Sequence, residues 1–299
     1  MVRGSGSFWK LPYGKDCPVV YDNDDHRDVY TDEYLMALAS AGDIMLEGIL
    51  TSYPYDREEY ELFCRGRERI VEAARRSGMR NIPDAVRGPD RRLVRPQSGK
   101  IEDTVPTGSE GSRLICRLAK AASPERPLAV ITGGPLTAEA DACLLDSSIA
   151  DKIVVASLCG SGRGMSGWNG GLDPWASVIV LKKLRYVQFP EINNLSHSAI
   201  VPKSRLTELP KNELRQWMIE KHHPKNGGPW ERDADGLPAV PLMRPDYCVR
   251  AKHVSFGGME RGIPVFRDLP SGNAILVTKM DQNVATEEFW RALKNPAAY

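Results

Sequence analysis

The sequence lacks several features that would assign it at once to a common class. Its 40 basic and 39 acidic residues leave a net charge of +1, and no run of Lys or Arg forms a phosphate-backbone footprint, so a nucleic-acid partner is not expected. No stretch has the apolar length of a membrane helix, and residues 1–10 lack the apolar core of a secretory signal. We expect a soluble, cytoplasmic protein without a membrane partner.

Cysteine pairs of the Cys-x-x-Cys kind are also absent. The six cysteines lie far apart along the chain, so neither a disulfide framework nor a zinc knuckle is indicated. We interpret most of them as small apolar residues of the core.

What the 299 residues do contain is an alternation of short apolar runs with stretches of helical periodicity. This alternation predicts an α/β fold, doubly wound, with a mainly parallel sheet flanked by helices. We expect a single domain over residues 1–299, with a less regular region at 190–273. The predicted strands lie at 18–21, 44–50, 82–86, 128–132, 153–157, 185–189 and 274–278.

Four aspartates follow the first predicted strand within a dozen residues. Carboxylates this close repel one another unless a cation or basic partners neutralise them, and oxygen ligands favour Ca²⁺ or Mg²⁺ over zinc. The alternative is that they are turn and helix-cap residues in water, the common fate of an isolated Asp-x-Asp. The four are Asp22, Asp24, Asp28 and Asp32.

Further polar residues follow later predicted strands. Thr132 ends a central strand, a glycine-rich stretch at 160–171 follows another, and Asp281 comes after the last one. Ligands bind at the carboxyl ends of the strands in an open parallel sheet, so these residues are candidates for the same site. Solvated turn residues would be less expected to combine an Asp-x-Asp at one strand end with Asp281 at another. The combination therefore favours the cation site.

The chain resembles the inosine-uridine-type nucleoside hydrolases, whose signature is a strand ending in Asp-x-Asp-Pro-Gly-x-Asp-Asp. The counterpart here is Val19-Val-Tyr-Asp22-Asn-Asp24-Asp-His-Arg-Asp28. Three later segments extend the resemblance over most of the chain. Thr132-Gly-Gly-Pro-Leu-Thr137 looks like the family's Thr-Gly-Pro-Leu-Thr-Asn, Trp168-Asn169-Gly-Gly-Leu-Asp173-Pro174 is similar to Glu-Phe-Asn-x-x-x-Asp-Pro, and Met280-Asp281 corresponds to a His-Asp pair.

The resemblance implies a Ca²⁺-dependent hydrolase that cleaves the N-glycosidic bond of a ribonucleoside or related ribosyl compound through a metal-bound water. Asp24 would be both calcium ligand and catalytic base, with Asp22 in support. Thr132, through its carbonyl, and Asp281 would be further ligands. Substrate-binding roles fall to Asp22, Asn169, Trp168 and Met280. Members of the family form dimers or tetramers, so a homo-oligomer is expected.

The departures from the family pattern leave two questions open. The Pro-Gly of the signature is missing and its final Asp-Asp reads Asp28-Val29, so either Asp28 or Asp32 would supply the remaining calcium ligand. Met280 replaces the His credited with protonating the leaving base, and a thioether donates no proton. The competing hypothesis is a non-catalytic or redirected member of the fold: a metal-dependent sugar-binding protein or a hydrolase of another glycoside. Trp168 stacks on a base or sugar, or packs within its own loop.

Overall fold

A computed structural model describes residues 9–26, 30–159, 167–190, 198–221, 230–233 and 235–299. Strands and helices alternate along the first two thirds of the chain, as the sequence predicts. The strands are β1 (Pro18–Asn23), β2 (Met45–Thr51), β3 (Ala85–Arg87), β4 (Leu128–Thr132), β5 (Ile153–Ser157), β6 (Arg185–Gln188), β7 (Ala199–Pro202), β8 (Trp230–Asp233), β9 (Cys248–Glu260), β10 (Ile263–Asp268) and β11 (Ala274–Met280).

Helices connect most of these strands. The α-helices are α1 (Thr31–Ser40), α2 (Arg57–Arg76), α3 (Glu110–Ala121), α4 (Thr137–Leu145), α5 (Trp168–Leu172), α6 (Pro174–Lys183), α7 (Lys203–Leu206), α8 (Glu213–Glu220) and α9 (Gln282–Leu293). Short 3-10 turns lie at Ile101–Asp103, Ser147–Lys152, Val240–Leu242, Pro245–Tyr247 and Pro296–Ala298. Among the described residues, no helix combines the length and the apolar character needed to cross a bilayer.

Nine of the strands form one sheet in the order β10-β9-β11-β6-β5-β4-β1-β2-β3. Every pairing from β11 to β3 is parallel, and only β9 pairs antiparallel with its neighbours β11 and β10. The predicted fold class, an α/β fold with a mainly parallel sheet flanked by helices, is therefore confirmed. The carboxyl ends of β1, β4 and β5 lie side by side, since Asp22 is in register with Thr132, and Thr132 with Ser157.

The apolar core covers both faces of the sheet. Successive side chains of a strand point to opposite faces, so Val19 and Tyr21 of β1 belong to one buried cluster and Val20 belongs to the other. The first cluster includes residues of α1 and α9, and the second includes residues of α3, α4 and α6. A sheet buried on both faces is the doubly wound arrangement that the sequence predicts.

The region at 190–273 holds the main difference between prediction and structure. The sequence predicted one helix there, at about 209–221, whereas α8 begins at Glu213 because Asn212 caps it by accepting the Arg215 N–H at 2.9 Å. The long hairpin β9–β10, which the sequence did not predict, extends the main sheet past β11. Its turn contains Arg261 (φ 51°) and Gly262 (φ 77°).

Helix α2 approaches the acidic loop after β1 closely because it has a glycine at the contact. A Cβ at Gly66 would lie 2.2 Å from Cδ2 of the His26 ring, so no larger residue fits without displacing that ring. The next residue, Arg67, is thereby held among the carboxylates that follow β1, and its side chain is fully buried.

Candidate functional site

The candidate site lies where β1, β4 and β5 end. Asp22 is completely buried, its Oδ2 accepts a hydrogen bond from Ser52 Oγ at 2.9 Å, and its Oδ1 has no hydrogen-bond partner among the described residues. Ser52 reaches this position because its N–H donates to Asn23 O at 3.1 Å and so continues the β1–β2 ladder. Burial raises the pKa of Asp22 to about 7, although Ser52 and the Arg67 charge oppose the rise.

Asp24 is also buried, and both of its carboxylate oxygens face N–H donors. The Asp25 N–H donates to Oδ1 at 2.8 Å, and the Trp168 indole N–H points at Oδ2 from 3.4 Å. Asn23 fixes the start of this loop, since its Oδ1 accepts the Asp24 N–H at 2.9 Å and its amide approaches Asp235 Oδ2 at 3.3 Å. The carboxylate is thus held beside the indole of Trp168.

The short helix α5 supplies two of the predicted substrate-binding residues. Trp168 is 61% exposed, so it is not buried within its own loop. Asn169 is buried, and its amide nitrogen donates to Gly133 O and, at 2.8 Å, to Leu158 O at the ends of β4 and β5. Its Oδ1 is buried and has no hydrogen-bond partner among the described residues. Asn169 therefore ties α5 to the strand ends and keeps one free acceptor.

One of the predicted metal ligands, Asp281, lies apart from Asp24 and Thr132 in the described part of the chain. Asp281 accepts the Asn283 N–H at 2.9 Å as the N-cap of α9, and Met280 before it is buried in the core, at the end of β11, four places from β1 in the sheet. The Thr132 carbonyl accepts the Leu158 N–H at 3.3 Å. Asp28 lies outside the described residues.

Asp32, the other predicted ligand, is paired with a protein cation. Its Oδ1 lies 3.2 Å from Nη1 of Arg67, and both side chains are almost fully buried. Within the described ranges, no three His, Cys, Asp or Glu side chains come together closely enough to hold a metal ion. Among the described residues, the predicted ligands do not fit a calcium site, because Asp32 is paired with Arg67, the Thr132 carbonyl and the Asp281 carboxylate accept backbone N–H groups, and Asp24 faces two N–H donors.

Sequence reasoning missed three charged residues of this site: Arg67, Glu139 and Asp235, whose Oδ2 lies 3.3 Å from the Asn23 amide nitrogen. Arg67 lay within a predicted helix with no sign of burial, and Glu139 lay in the predicted helix at 137–145. Glu139 is fully buried with neither oxygen hydrogen-bonded among the described residues, and burial, then the Asp22 charge, raises its pKa well above the ordinary value. One signal could have identified Glu139: it is a charged residue at an apolar position of a helix, just after the turn that ends at Thr137.

Comparison with known proteins supports the fold through structure alone. No protein-family model matches the sequence, and no curated protein matches it. The structure is similar to that of an inosine-guanosine nucleoside hydrolase, with a TM-score of 0.67 and 15% identity over 92% of this chain and 98% of the other. A purine-preferring ribonucleoside hydrolase from Gardnerella vaginalis superposes with a TM-score of 0.66 and 14% identity, covering 94% and 99% of the two chains.

A third similar structure carries no enzyme name. The effector protein XOO4466 superposes with a TM-score of 0.61 and 11% identity over 95% of each chain. All three similarities extend over nearly the whole of both chains. The resemblance drawn from the sequence motifs is thus confirmed in three dimensions, and this chain has the fold of the nucleoside hydrolases.

Proposed function

We propose that the chain hydrolyses the N-glycosidic bond of a ribonucleoside or a related ribosyl compound. The observation that carries the proposal is the buried Asp24 carboxylate beside the exposed Trp168 indole, 3.4 Å from its N–H, at the carboxyl edge of the sheet. The free Oδ1 of Asn169 supports it, because an acceptor there suits a ribose hydroxyl. The similarity in fold to nucleoside hydrolases supports the reaction type.

In this proposal Asp24 accepts a proton from the attacking water. The water oxygen bonds to C1′ of the ribosyl group, the C1′–N bond breaks, and the electron pair of that bond leaves with the nitrogen. Trp168 packs against the sugar or the leaving group, and Asn169 accepts a hydrogen bond from a hydroxyl. Asp22 supports the loop behind Asp24.

Met280 cannot protonate the nitrogen of the leaving group. This residue is buried in the core and its thioether donates no proton, so the position that corresponds to the family's leaving-group acid supplies none. A leaving group that departs neutral needs no such acid. The proposal therefore favours N-ribosyl cations, such as a ribosylated pyridinium, over neutral purine nucleosides.

Calcium at this site is implied by the resemblance alone. The described donors do not fit it, and the steps above rest on Asp24, Trp168 and Asn169 alone. Assembly into dimers or tetramers and a cytoplasmic location also stay predictions.

The test is release of reducing sugar from a panel of neutral nucleosides and N-ribosyl pyridinium compounds. Asp24→Asn should lower the rate by roughly 10²- to 10⁴-fold, the usual contribution of a general base. Asp16→Asn, at an exposed position, is the matched control and should leave the rate unchanged. Equal rates for Asp24→Asn and the control would contradict the role of Asp24.

The second candidate is a ribosyl-binding protein without turnover. The observation that favours it is that both Asp24 oxygens face protein N–H donors, an arrangement that weakens a carboxylate as a base. Calorimetry with the same panel separates the two candidates. Binding that Trp168→Ala weakens, without sugar release, would establish the binding role instead of the hydrolase.

A further inference from the structure

The acidic cluster after β1 already contains a cation. Arg67 is the largest fully buried side chain among the described residues, and its Nη1 lies 3.2 Å from Asp32 Oδ1. Its guanidinium carbon lies 5.6 Å from the ring centroid of Tyr21, the residue just before Asp22. A charged guanidinium is stable in a buried position only when carboxylates compensate for its lost hydration.

The surrounding charges show which carboxylates compensate. Burial alone would lower the pKa of Arg67, but the charge of Asp32 raises it above the ordinary value, with further contributions from Tyr21, Asp22 and Asp24. The same charge opposes the rise that burial causes in the pKa of Asp32 and of Asp22. Arg67 therefore acts on three of the four aspartates that the sequence singled out.

The cluster also contains both donors and acceptors without a hydrogen-bond partner among the described residues. Arg67 Nε and Nη2 have no partner among the described residues, and neither have Asp32 Oδ2 and Asp22 Oδ1. The two nitrogens carry three N–H groups, and water molecules between these and the two carboxylate oxygens would pair them. A divalent ion in the same place would meet the positive guanidinium at close range, which is repulsive in a buried site.

We infer that Arg67 is the resident cation of this site and pairs with Asp32 in the place where the fold family implies calcium. Helix α2 delivers the charge, and Gly66 allows the close approach that brings it there. This inference goes beyond the proposed hydrolysis, because it concerns the charge balance of the folded chain and holds with or without turnover.

The first part of the test is the metal content of the wild-type chain. After purification in calcium-containing buffer and desalting, mass spectrometry should find well under one calcium per chain. Neither calcium nor EDTA should move the melting temperature by more than about 1 °C, since a ligand that binds the folded state stabilises it. One calcium per chain, or a clear fall of the melting temperature in EDTA, would overturn the inference.

The second part is a double-mutant cycle on stability. Arg67→Met leaves the buried Asp32 carboxylate without its cation and should lower the melting temperature by roughly 10 °C. The matched control is Arg69→Met, an exposed position on the same helix, which should change it by less than about 2 °C. Combining Arg67→Met with Asp32→Asn should lower the melting temperature by less than the sum of the two single changes. Each single change leaves one buried charge without its partner, and the second change removes that charge.

Additive effects of the two changes, or an Arg67→Met variant as stable as Arg69→Met, would refute the inference. If Arg67→Met does not fold, Arg67→Lys takes its place in the cycle. The Arg67→Lys variant keeps the positive charge but loses the planar set of guanidinium N–H donors. Its melting temperature should fall less than half as far as expected for Arg67→Met. None of these measurements uses catalytic activity, so they stand apart from a failure of the proposed hydrolysis.

Discussion

Replacement of Gly170 by alanine tests how the substrate-binding helix α5 is held. A Cβ at Gly170 would lie 2.0 Å from the carbonyl oxygen of Gly262, in the turn of the β9–β10 hairpin, and contacts under 3.0 Å are essentially never seen. The Gly167 N–H also donates to Arg261 O in that turn at 3.2 Å. The hairpin turn therefore presses directly on the helix that carries Trp168.

The expected effect is a displacement of the turn or of α5 by about 1 Å, because the Cβ is fixed rigidly to the α5 backbone and the Gly262 carbonyl that it meets is itself backbone. Overpacking of this kind costs about 1–3 kcal/mol of unfolding free energy. A shift of that size in a positioning element lowers catalysis by about 10²-fold, and substrate binding would weaken with it. Asn169, the neighbour of Gly170, would lose its alignment with Leu158 O.

The control is the next residue in the same helix. A Cβ at Gly171 would have no atom within 4 Å, so Gly171→Ala adds the same methyl group into open space. It should be neutral or stabilising by up to about 1 kcal/mol, because alanine favours a helix over glycine. Urea denaturation and titration with a ribosyl ligand measure both variants. Equal stability and equal ligand affinity for the two variants would refute the idea that the β9–β10 turn holds α5 in place.

Two further changes test individual side chains of the site. Glu139→Gln should become more stable relative to the wild type as the pH rises above about 4.3, the pKa of a glutamate in the unfolded chain. Burial raises the pKa of Glu139 in the folded chain, so the protonated side chain contributes to the unfolding free energy at low pH. That contribution is lost as the pH rises, because the unfolded chain releases this proton more readily than the folded chain does. Urea denaturation at pH 5 and pH 8 measures this, and a constant difference between the two proteins would contradict it. Trp168→Ala should leave the unfolding free energy within about 0.5 kcal/mol, because the side chain is 61% exposed, yet weaken ribosyl binding by roughly tenfold, and Trp168→Phe should recover part of that loss. Calorimetry measures the affinity for the ribosyl ligand, and an unchanged affinity in Trp168→Ala would show that Trp168 does not bind it.

Several parts of the fold follow from local patterns in the sequence. The apolar run before Asp22 and the helical spacing after Thr31 are signals carried by a few adjacent residues, and they predicted β1 and α1. The polar residues at strand ends likewise indicated the correct edge of the sheet, because parallel strands share that edge. Asp22, Thr132 and Asn169 do lie together there.

Other parts of the site could not be predicted from the sequence. Asp281 has the sequence context of a ligand, but it caps α9 after β11, which lies four strands from β1 in the sheet. The β9–β10 turn meets α5 across about 90 residues of chain, and no local pattern encodes that contact. Contacts of this kind depend on which surfaces pack together.

The sequence by itself determined the order of strands and helices, the parallel character of the sheet and the acidic loop after β1. Only the tertiary structure decided what neutralises that loop. Arg67 looks like any other arginine of a charged helix, and its burial depends on Gly66 meeting His26 and on Asp32 and Tyr21 facing it from other elements. Periodicity reports how a residue relates to its chain neighbours, whereas charge compensation depends on distances between residues that only packing brings together.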